Sequence, residues 1–263
     1  TMSILDAIIQ GVVQGLTEFL PVSSSGHLAI TQHILGAGTG ESNLFFNVML
    51  HVGTLVAVVA FYHKLVWDLI KEFFLMLKDI FTGKFKWSKM NYNRNLVVML
   101  IIGLIPLFLL FLPIPGTDMK LKDLADLLSA SPVLIVTACS LILTSVLLTI
   151  GIIRNRKSVA STHKHLATKS NAKATRDNFN VVEAILVGVT QVCSALLPGL
   201  SRSGSTLSVG EMRGISKQKA LDYTFVLGIP SILAAALLEG VDAIKSPEGY
   251  ATRSEERFSR NAE

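Results

Sequence analysis

Two short polar tracts lie inside an otherwise apolar chain, and they carry the residue types that handle protons and phosphate. The first joins Glu18 to Pro21-Val-Ser-Ser-Ser-Gly-His27, a carboxylate followed by three hydroxyls, a glycine and an imidazole. These are the ingredients of nucleophilic or general acid–base catalysis. A helix cap would need only one hydroxyl, and spacing alone does not rank Ser23, Ser24 and Ser25. The second tract, Pro198-Gly-Leu-Ser-Arg-Ser-Gly-Ser-Thr206, has no carboxylate or histidine but sets Arg202 among hydroxyls and glycines just before a short helix. Gly-rich backbone at a helix N-terminus favours anions, because free N–H groups and the helix dipole both point at the ligand. Arg202 adds a planar, permanently charged fork suited to phosphate oxygens. A snorkelling arginine would sit at a membrane edge; a place inside the tract favours a ligand role. Upstream, Asp6, Gln10, Gln14 and Glu18 recur every four residues and share one drifting helical face. Gln10 reads as helix–helix glue and Asp6 as a helix-start residue. Glu18, an ionisable group at membrane depth, reads as functional.

The elements that must position these residues are membrane helices. Only 16% of the 263 residues are charged, against roughly 25% in soluble proteins, and mean hydropathy is +0.52. Apolar runs cover Ile4–Leu20, Gly26–Leu35, Leu44–Tyr62, Leu96–Leu112, Pro132–Ile153, Val181–Leu197, Ser203–Met212 and Ala220–Leu238. This pattern predicts an all-α polytopic membrane protein, one integral-membrane domain over residues 1–245. Val66–Phe81 mixes Trp67, Lys71, Glu72, Lys78 and Asp79 with apolar residues and reads as an interfacial amphipathic helix. Positive charge concentrates in loops 83–95 and 154–178, which the positive-inside rule assigns to the cytoplasm. The Pro113–Ser131 loop, with Asp118, Asp123 and Asp126, falls outside. The net charge of +5 belongs to these loops, so no nucleic-acid partner is expected. Cys139 and Cys193 lie in apolar segments without metal spacing and read as small buried hydrophobes. Asp6, Gln10, Gln14 and Glu18 interrupt the first apolar stretch, so no cleavable leader is expected there.

The chain also repeats itself. Ala7-Ile-Ile-Gln-Gly-Val-Val-Gln14 aligns with Ala184-Ile-Leu-Val-Gly-Val-Thr-Gln191, each followed by Leu-Pro, and Ser23-Ser24-Ser25-Gly26 then matches Ser201-Arg202-Ser203-Gly204. Three expected crossings separate the copies, so they begin on opposite sides of the membrane, an inverted-topology repeat. In each copy a helix broken at Leu-Pro precedes a segment too short to cross. That predicts two re-entrant helix hairpins whose tips meet near the membrane midplane, with repeat one over about 4–112 and repeat two over about 181–245.

Gln14-Gly-Leu-Thr-Glu18-Phe-Leu-Pro-Val-Ser-Ser-Ser-Gly-His27, together with Pro198-Gly-Leu-Ser-Arg-Ser-Gly-Ser-Thr206, closely resembles the paired motifs of the undecaprenyl-diphosphate phosphatase family, known for bacitracin resistance. The resemblance covers residues 2–245. It implies an enzyme of the bacterial inner membrane that converts undecaprenyl diphosphate to the monophosphate and phosphate, recycling the lipid carrier for peptidoglycan and other envelope polymers, with the catalytic face toward the periplasm. It implies a divalent cation, Mg²⁺ or Ca²⁺, with Gln14 and Glu18 filling a Glu/Gln-x-x-x-Glu motif linked to metal and diphosphate. The first position of that motif is often Glu, so Gln14 leaves one carboxylate fewer. Ser24 is the implied nucleophile, with His27 as acid or base and Arg202 as the phosphate clamp. Ser23, Ser25, Gly26, Ser201, Ser203, Gly204 and Thr206 would cradle the diphosphate. Membrane lipids are the expected surroundings and the oligomeric state is open. His51, in Leu50-His-Val-Gly-Thr54, reads equally as a group behind the site and as helix glue.

After Leu238 the family continues with further spans, whereas Ser246–Glu263 has no apolar run and reads as a disordered or artefactual tail. The second repeat is therefore expected to be incomplete. The rival function is an inverted-repeat transporter or flippase of a phosphorylated lipid carrier, in which Glu18 and His27 would relay protons and Arg202 would bind the anion. Release of phosphate separates the two.

Overall fold

The computed structural model describes residues 3–36, 41–117, 119–130, 134–166 and 176–245. The tail from 246 and the middle of the second basic loop, 167–175, lie outside the described residues. So does Asp118. The described chain is helical: α1 (Ile4–Phe19), α2 (Ser24–Ile34), α3 (Glu41–Phe61), α4 (His63–Phe81), α5 (Tyr92–Leu104) continued by a 3₁₀ segment Ile105–Phe111, α6 (Leu121–Ala130), α7 (Leu134–Leu166), α8 (Val181–Leu196), α9 (Arg202–Met212) and α10 (Lys217–Lys245). Two isolated bridges, Pro113 with Lys120 and Arg176 with Ile215, are the β pairing recorded among the described residues.

Around a buried apolar cluster that includes Met99, Val187, Tyr223 and Leu227, the polarity of the first helix is inverted relative to a soluble amphipathic helix. On α1, Ile4 is 83% exposed and Leu16 62%, while Gln10 and Gln14 are at 0% and 1%. Apolar side chains face outward because their surroundings are lipid; the polar ones turn inward because hydrocarbon cannot solvate them. Among the described residues three helices are long and apolar enough to cross a bilayer, Tyr92–Phe111, Leu134–Asn155 and Lys217–Leu238, and the bent pair Phe46–Phe61 with His63–Phe81 would make a fourth if counted as one span. The chain is a multi-pass membrane protein. Cys139 and Cys193 correct the sequence expectation: both are exposed, since a small apolar residue on a lipid-facing surface has no need of burial.

Each repeat builds a helical hairpin by the same local chemistry. α1 opens with a capping box between Ser3 and Asp6, and α8 opens with one between Asn180 and Glu183. Both end at the residue before a Leu-Pro pair, because the residue preceding proline is held extended. The following helix is capped in each copy by a serine hydroxyl, Ser23 to the Gly26 N–H and Ser201 to the Gly204 N–H. α1 then packs on α2, and α8 on α9. α3 and α10, which follow the two hairpins, pack on each other, and α7 lies along α9.

One connection agrees with expectation and one differs. α3 and α4 break by 84° at Tyr62, as expected of a span ending at Tyr62 and a separate helix after it. The Pro113–Ser131 stretch, read as loop, contains α6, whose Asp123 carboxylate accepts from the Lys120 N–H; Leu121, Leu124, Ala125 and Leu128 have helical spacing, but over ten residues, too few for a span, and the acids among them drew the loop reading. At one end of the bundle the starts of α5, α8 and α10 meet the late turns of α7 and α9. There Lys219 lies 4.2 Å above the Tyr92 ring, Asn155 donates to Glu211 at 3.5 Å, and Arg176 donates to the buried Glu183 and to the Arg213 carbonyl.

Candidate active site

The two tips touch. A Cβ added at Gly204 would lie 2.5 Å from the Pro21 carbonyl oxygen, and one at Gly26 would lie 3.3 Å from the Gly199 Cα. These glycines let backbone from one hairpin reach backbone of the other, which larger residues would prevent. The first tip is also strained: Ser23 has φ 77°, a left-handed conformation that costs a non-glycine residue about 1–3 kcal/mol and concentrates at functional sites. Helix α7 braces the second tip, because Thr144 Oγ1 accepts from the Ser201 N–H at 3.0 Å.

Glu18 is the hub at this junction. Its Oε2 accepts from the Ser24 hydroxyl at 2.6 Å and from the Gln14 amide Nε2 at 3.1 Å. Its Oε1 faces the second hairpin and pairs with Arg202 Nη2 at 3.3 Å. One carboxylate thus joins the hydroxyl of one repeat to the guanidinium of the other. Ser24 is the first residue of α2 and Arg202 the first of α9, so the dipoles of two helix N-termini converge on the same spot.

Beside the hub lies a cleft floored by Glu18, Arg202, Ser203 and Thr224. Its walls are apolar, Leu55 and Val58 from α3 and Phe225, Ile229 and Ile232 from α10. Gly228 leaves room for the guanidinium, since a Cβ there would meet Arg202 Nη2 at 3.3 Å. Polar and apolar side chains thus lie side by side in this cleft.

The family described as Bacitracin resistance protein BacA matches residues 7–258. The chain belongs to that family. An undecaprenyl-diphosphatase of Alkaliphilus metalliredigens is 38% identical over 245 residues, 93% of this chain and 79% of that protein. One from Bacteroides fragilis is 35% identical over 245 residues, covering 93% and 77%. Another, from Methanobrevibacter smithii, is 37% identical over 241 residues, covering 90% and 76%.

Within this family member not every expected residue reaches the hub. Gln14, Glu18, Ser24 and Arg202 do. His27 does not bond to Glu18 or Ser24; its Nδ1–H donates to the Ser23 carbonyl at 2.7 Å, which leaves Nε2 as the other ring nitrogen available. Ser25 is exposed, with its hydroxyl 3.4 Å from that of Ser23, and Ser203 repeats this spacing from Ser201. Thr206 is buried, turned back to the Arg202 carbonyl and to the Thr224 hydroxyl. Thr224 was not read from the sequence, since a lone threonine in an apolar run carries no signal. His51 sits one helical turn before Leu55 on α3, bonded through Nδ1 to the Asn47 carbonyl, close enough to Glu18 to interact electrostatically. Behind it Gln32 donates to both Gln10 and Asn47, so the Gln10 position is glue between α1, α2 and α3.

The donor set suits a hard divalent cation. Gln14 Oε1 is buried without a hydrogen-bond partner among the described residues and adjoins the Glu18 carboxylate. No group of three or more His, Cys, Asp or Glu side chains gathers there among the described residues, so the remaining ligands would be substrate oxygens and water, as Mg²⁺ commonly accepts.

Proposed function

We propose that this chain hydrolyses undecaprenyl diphosphate to undecaprenyl phosphate and inorganic phosphate, and that the Glu18–Ser24–Arg202 junction is where it does so. The observation that carries this is the 2.6 Å bond from the Ser24 hydroxyl to Glu18, held beside an arginine of the opposite hairpin. A carboxylate at that distance takes the hydroxyl proton as Ser24 Oγ forms its bond to the terminal phosphorus and the anhydride P–O bond breaks, releasing the lipid monophosphate. Water then displaces the serine and yields phosphate. Arg202 binds the equatorial oxygens, where charge spreads in the transition state, and this electrostatic contribution is the largest expected. His27, whose Nδ1 is taken by the Ser23 carbonyl, would use Nε2 to give or take the proton of the leaving oxygen or the water. Ser23, Ser25, Gly26, Ser201, Ser203, Gly204 and Thr206 shape the two helix N-termini that hold the diphosphate. Gln14 and Glu18 are the residues that would hold Mg²⁺ or Ca²⁺, which when bound supplies positive charge to the diphosphate oxygens.

The polyprenyl chain lies along the apolar walls of the cleft, between α3 and α10. The hairpins are re-entrant and inverted, their tips near the midplane of a plasma membrane whose cytoplasmic side faces loops 83–95 and 154–178. Supporting this, the end of the bundle where α5, α8 and α10 begin is the end to which both basic loops lead. Residues 1–245 form one domain. The activity regenerates a lipid carrier for envelope polymers, which accounts for bacitracin resistance.

The test is cation-dependent phosphate release from a long-chain polyprenyl diphosphate by the purified protein, beside Ser24→Ala and Arg202→Ala. Release that both substitutions abolish is expected. Headgroup binding without release would overturn the hydrolase reading in favour of a carrier.

A further inference from the structure

Helix α4 presents two parallel stripes. Lys64, Lys71 and Lys78 recur every seven residues, and so do Trp67, Phe74 and Phe81, three positions on. Seven residues are nearly two turns, so each set forms one line on the helix surface, about 60° apart. All six side chains are exposed. Lys71 lies over the Trp67 ring at 5.3 Å, and an open groove runs between the stripes from Trp67 to Lys78.

The acids of α4 are placed elsewhere. Glu72 and Asp79, also seven apart, turn toward α5, where Arg94 takes both, at 3.1 Å and 2.7 Å. Leu69 and Met76 are buried on that same side. One arginine from α5 therefore neutralises the inner face, and the outer face keeps three lysines against Asp68 alone. The 84° break from α3 turns this helix across the direction of its neighbour. Given the membrane reading of α3, α4 lies along the bilayer surface.

We propose that the outer face of α4 is a docking surface for anionic phospholipid headgroups, with the aromatic line sunk into the acyl boundary and the lysine line binding lipid phosphate. The charge separation decides for this occupant. An aromatic face alone would hold any lipid interface, but confining Glu72 and Asp79 to the arginine-bound side leaves three exposed lysines with Asp68 as the one acid of α4 beside them, a net positive surface that favours phosphate. A second protein copy would bring the same lysines against each other.

The test uses the full chain with Trp87→Phe, so that Trp67 is the fluorophore, reconstituted in vesicles of phosphatidylcholine containing either brominated phosphatidylglycerol or brominated phosphatidylcholine at equal fraction. Quenching of Trp67 is expected to be stronger with the brominated anionic lipid. Lys64→Gln, Lys71→Gln and Lys78→Gln together should abolish that preference while quenching persists, each lysine contributing about fivefold at low salt, less at high salt. Equal quenching by the two lipids in the unsubstituted protein would overturn the proposal. So would absence of quenching together with concentration-dependent cross-linking of two copies through position 71. Because none of these residues touches the cleft, phosphate release by the triple variant in detergent should be unchanged, so a failed lipid preference and a failed hydrolase reading are separable.

Discussion

Two hairpins with the same capping, the same proline break and the same glycine positions have come to hold different chemistry. The difference is sharpest at matching glutamines. In the first hairpin Gln14 gives its Nε2 to Glu18 and leaves its Oε1 buried and unbonded. In the second, Gln191 donates to the Gly103 carbonyl at 3.1 Å and accepts from Ser231 at 3.2 Å, so both ends are spent on packing. Four residues on, Glu18 is buried in the junction while Ala195 is exposed. Where Ser24 stands in one tip, Arg202 stands in the other. The fold supplies two equal anion-facing helix starts, and a few substitutions turn one toward proton transfer and the other toward charge.

The largest expected effect lies across the junction itself. Glu18→Gln removes the group that takes the Ser24 proton, and phosphate release should fall by about 10³-fold, the usual range for a general base or a charge-stabilising partner. Arg202→Ala should fall comparably. The double substitution should cost little more than either alone, because residues acting as one unit are strongly non-additive. Additive losses in single-turnover phosphate release would mean that the two hairpins act independently.

The glutamines sharpen the contrast next. Gln191→Glu sets a carboxylate against the Gly103 carbonyl in a buried site, and stability should drop by about 3 kcal/mol, read from unfolding in detergent. Gln14→Glu exchanges the Nε2–H bond to Glu18 for a carboxylate oxygen at the same 3.1 Å, so stability should drop without cation, recover in Mg²⁺, and the cation concentration for half-maximal activity should fall. Equal destabilisation by the two substitutions in Mg²⁺ would remove the distinction between an amide spent at both ends and one that keeps its oxygen unbonded.

The glycines test contact between the tips. At Gly204 the obstacle is a backbone oxygen at 2.5 Å; at Gly26 it is chiefly the Leu141 Cδ2 at 3.0 Å, a side chain that can rotate away. Gly204→Ala should therefore cost about 3 kcal/mol and Gly26→Ala about 1 kcal/mol, within the range for overpacking. Similar costs would argue that the hairpins can separate.

Much of this was legible in the chain. The repeat placed α1, α2, α8 and α9 to within two residues, because proline, serine and glycine at fixed offsets are strong local signals. Glu18 and Arg202 were legible because charge is rare in apolar runs, whereas Ser24 could not be told from Ser23 and Ser25 by spacing and was singled out by the family resemblance. What escaped depends on tertiary partners. Gln191 looks like Gln14 until the Gly103 carbonyl arrives from α5, eighty-eight residues away in sequence. Thr144 is one more threonine of a long apolar helix until the Ser201 N–H meets it. Asp6 and Glu183 play one capping role at matching positions, masked by their different residue types.

The smallest expected difference concerns the two capping serines and turns on backbone strain alone. Ser201 has φ −63° and Ser23 φ 77°, while each accepts from the N–H three residues on. Replacing Ser201 by glycine removes the cap bond and loosens the unfolded chain, and should destabilise by about 1 kcal/mol. Replacing Ser23 by glycine loses the same bond but relieves a conformation glycine adopts freely, so the two effects should nearly cancel. Paired unfolding curves of Ser23→Gly and Ser201→Gly decide it. Equal losses would mean that Ser23 is unstrained and that its backbone, like that of Ser201, only starts a helix. Unequal losses would show that the first tip holds Ser24 against Glu18 by a bend that the second tip, which presents a long flexible arginine, does not need.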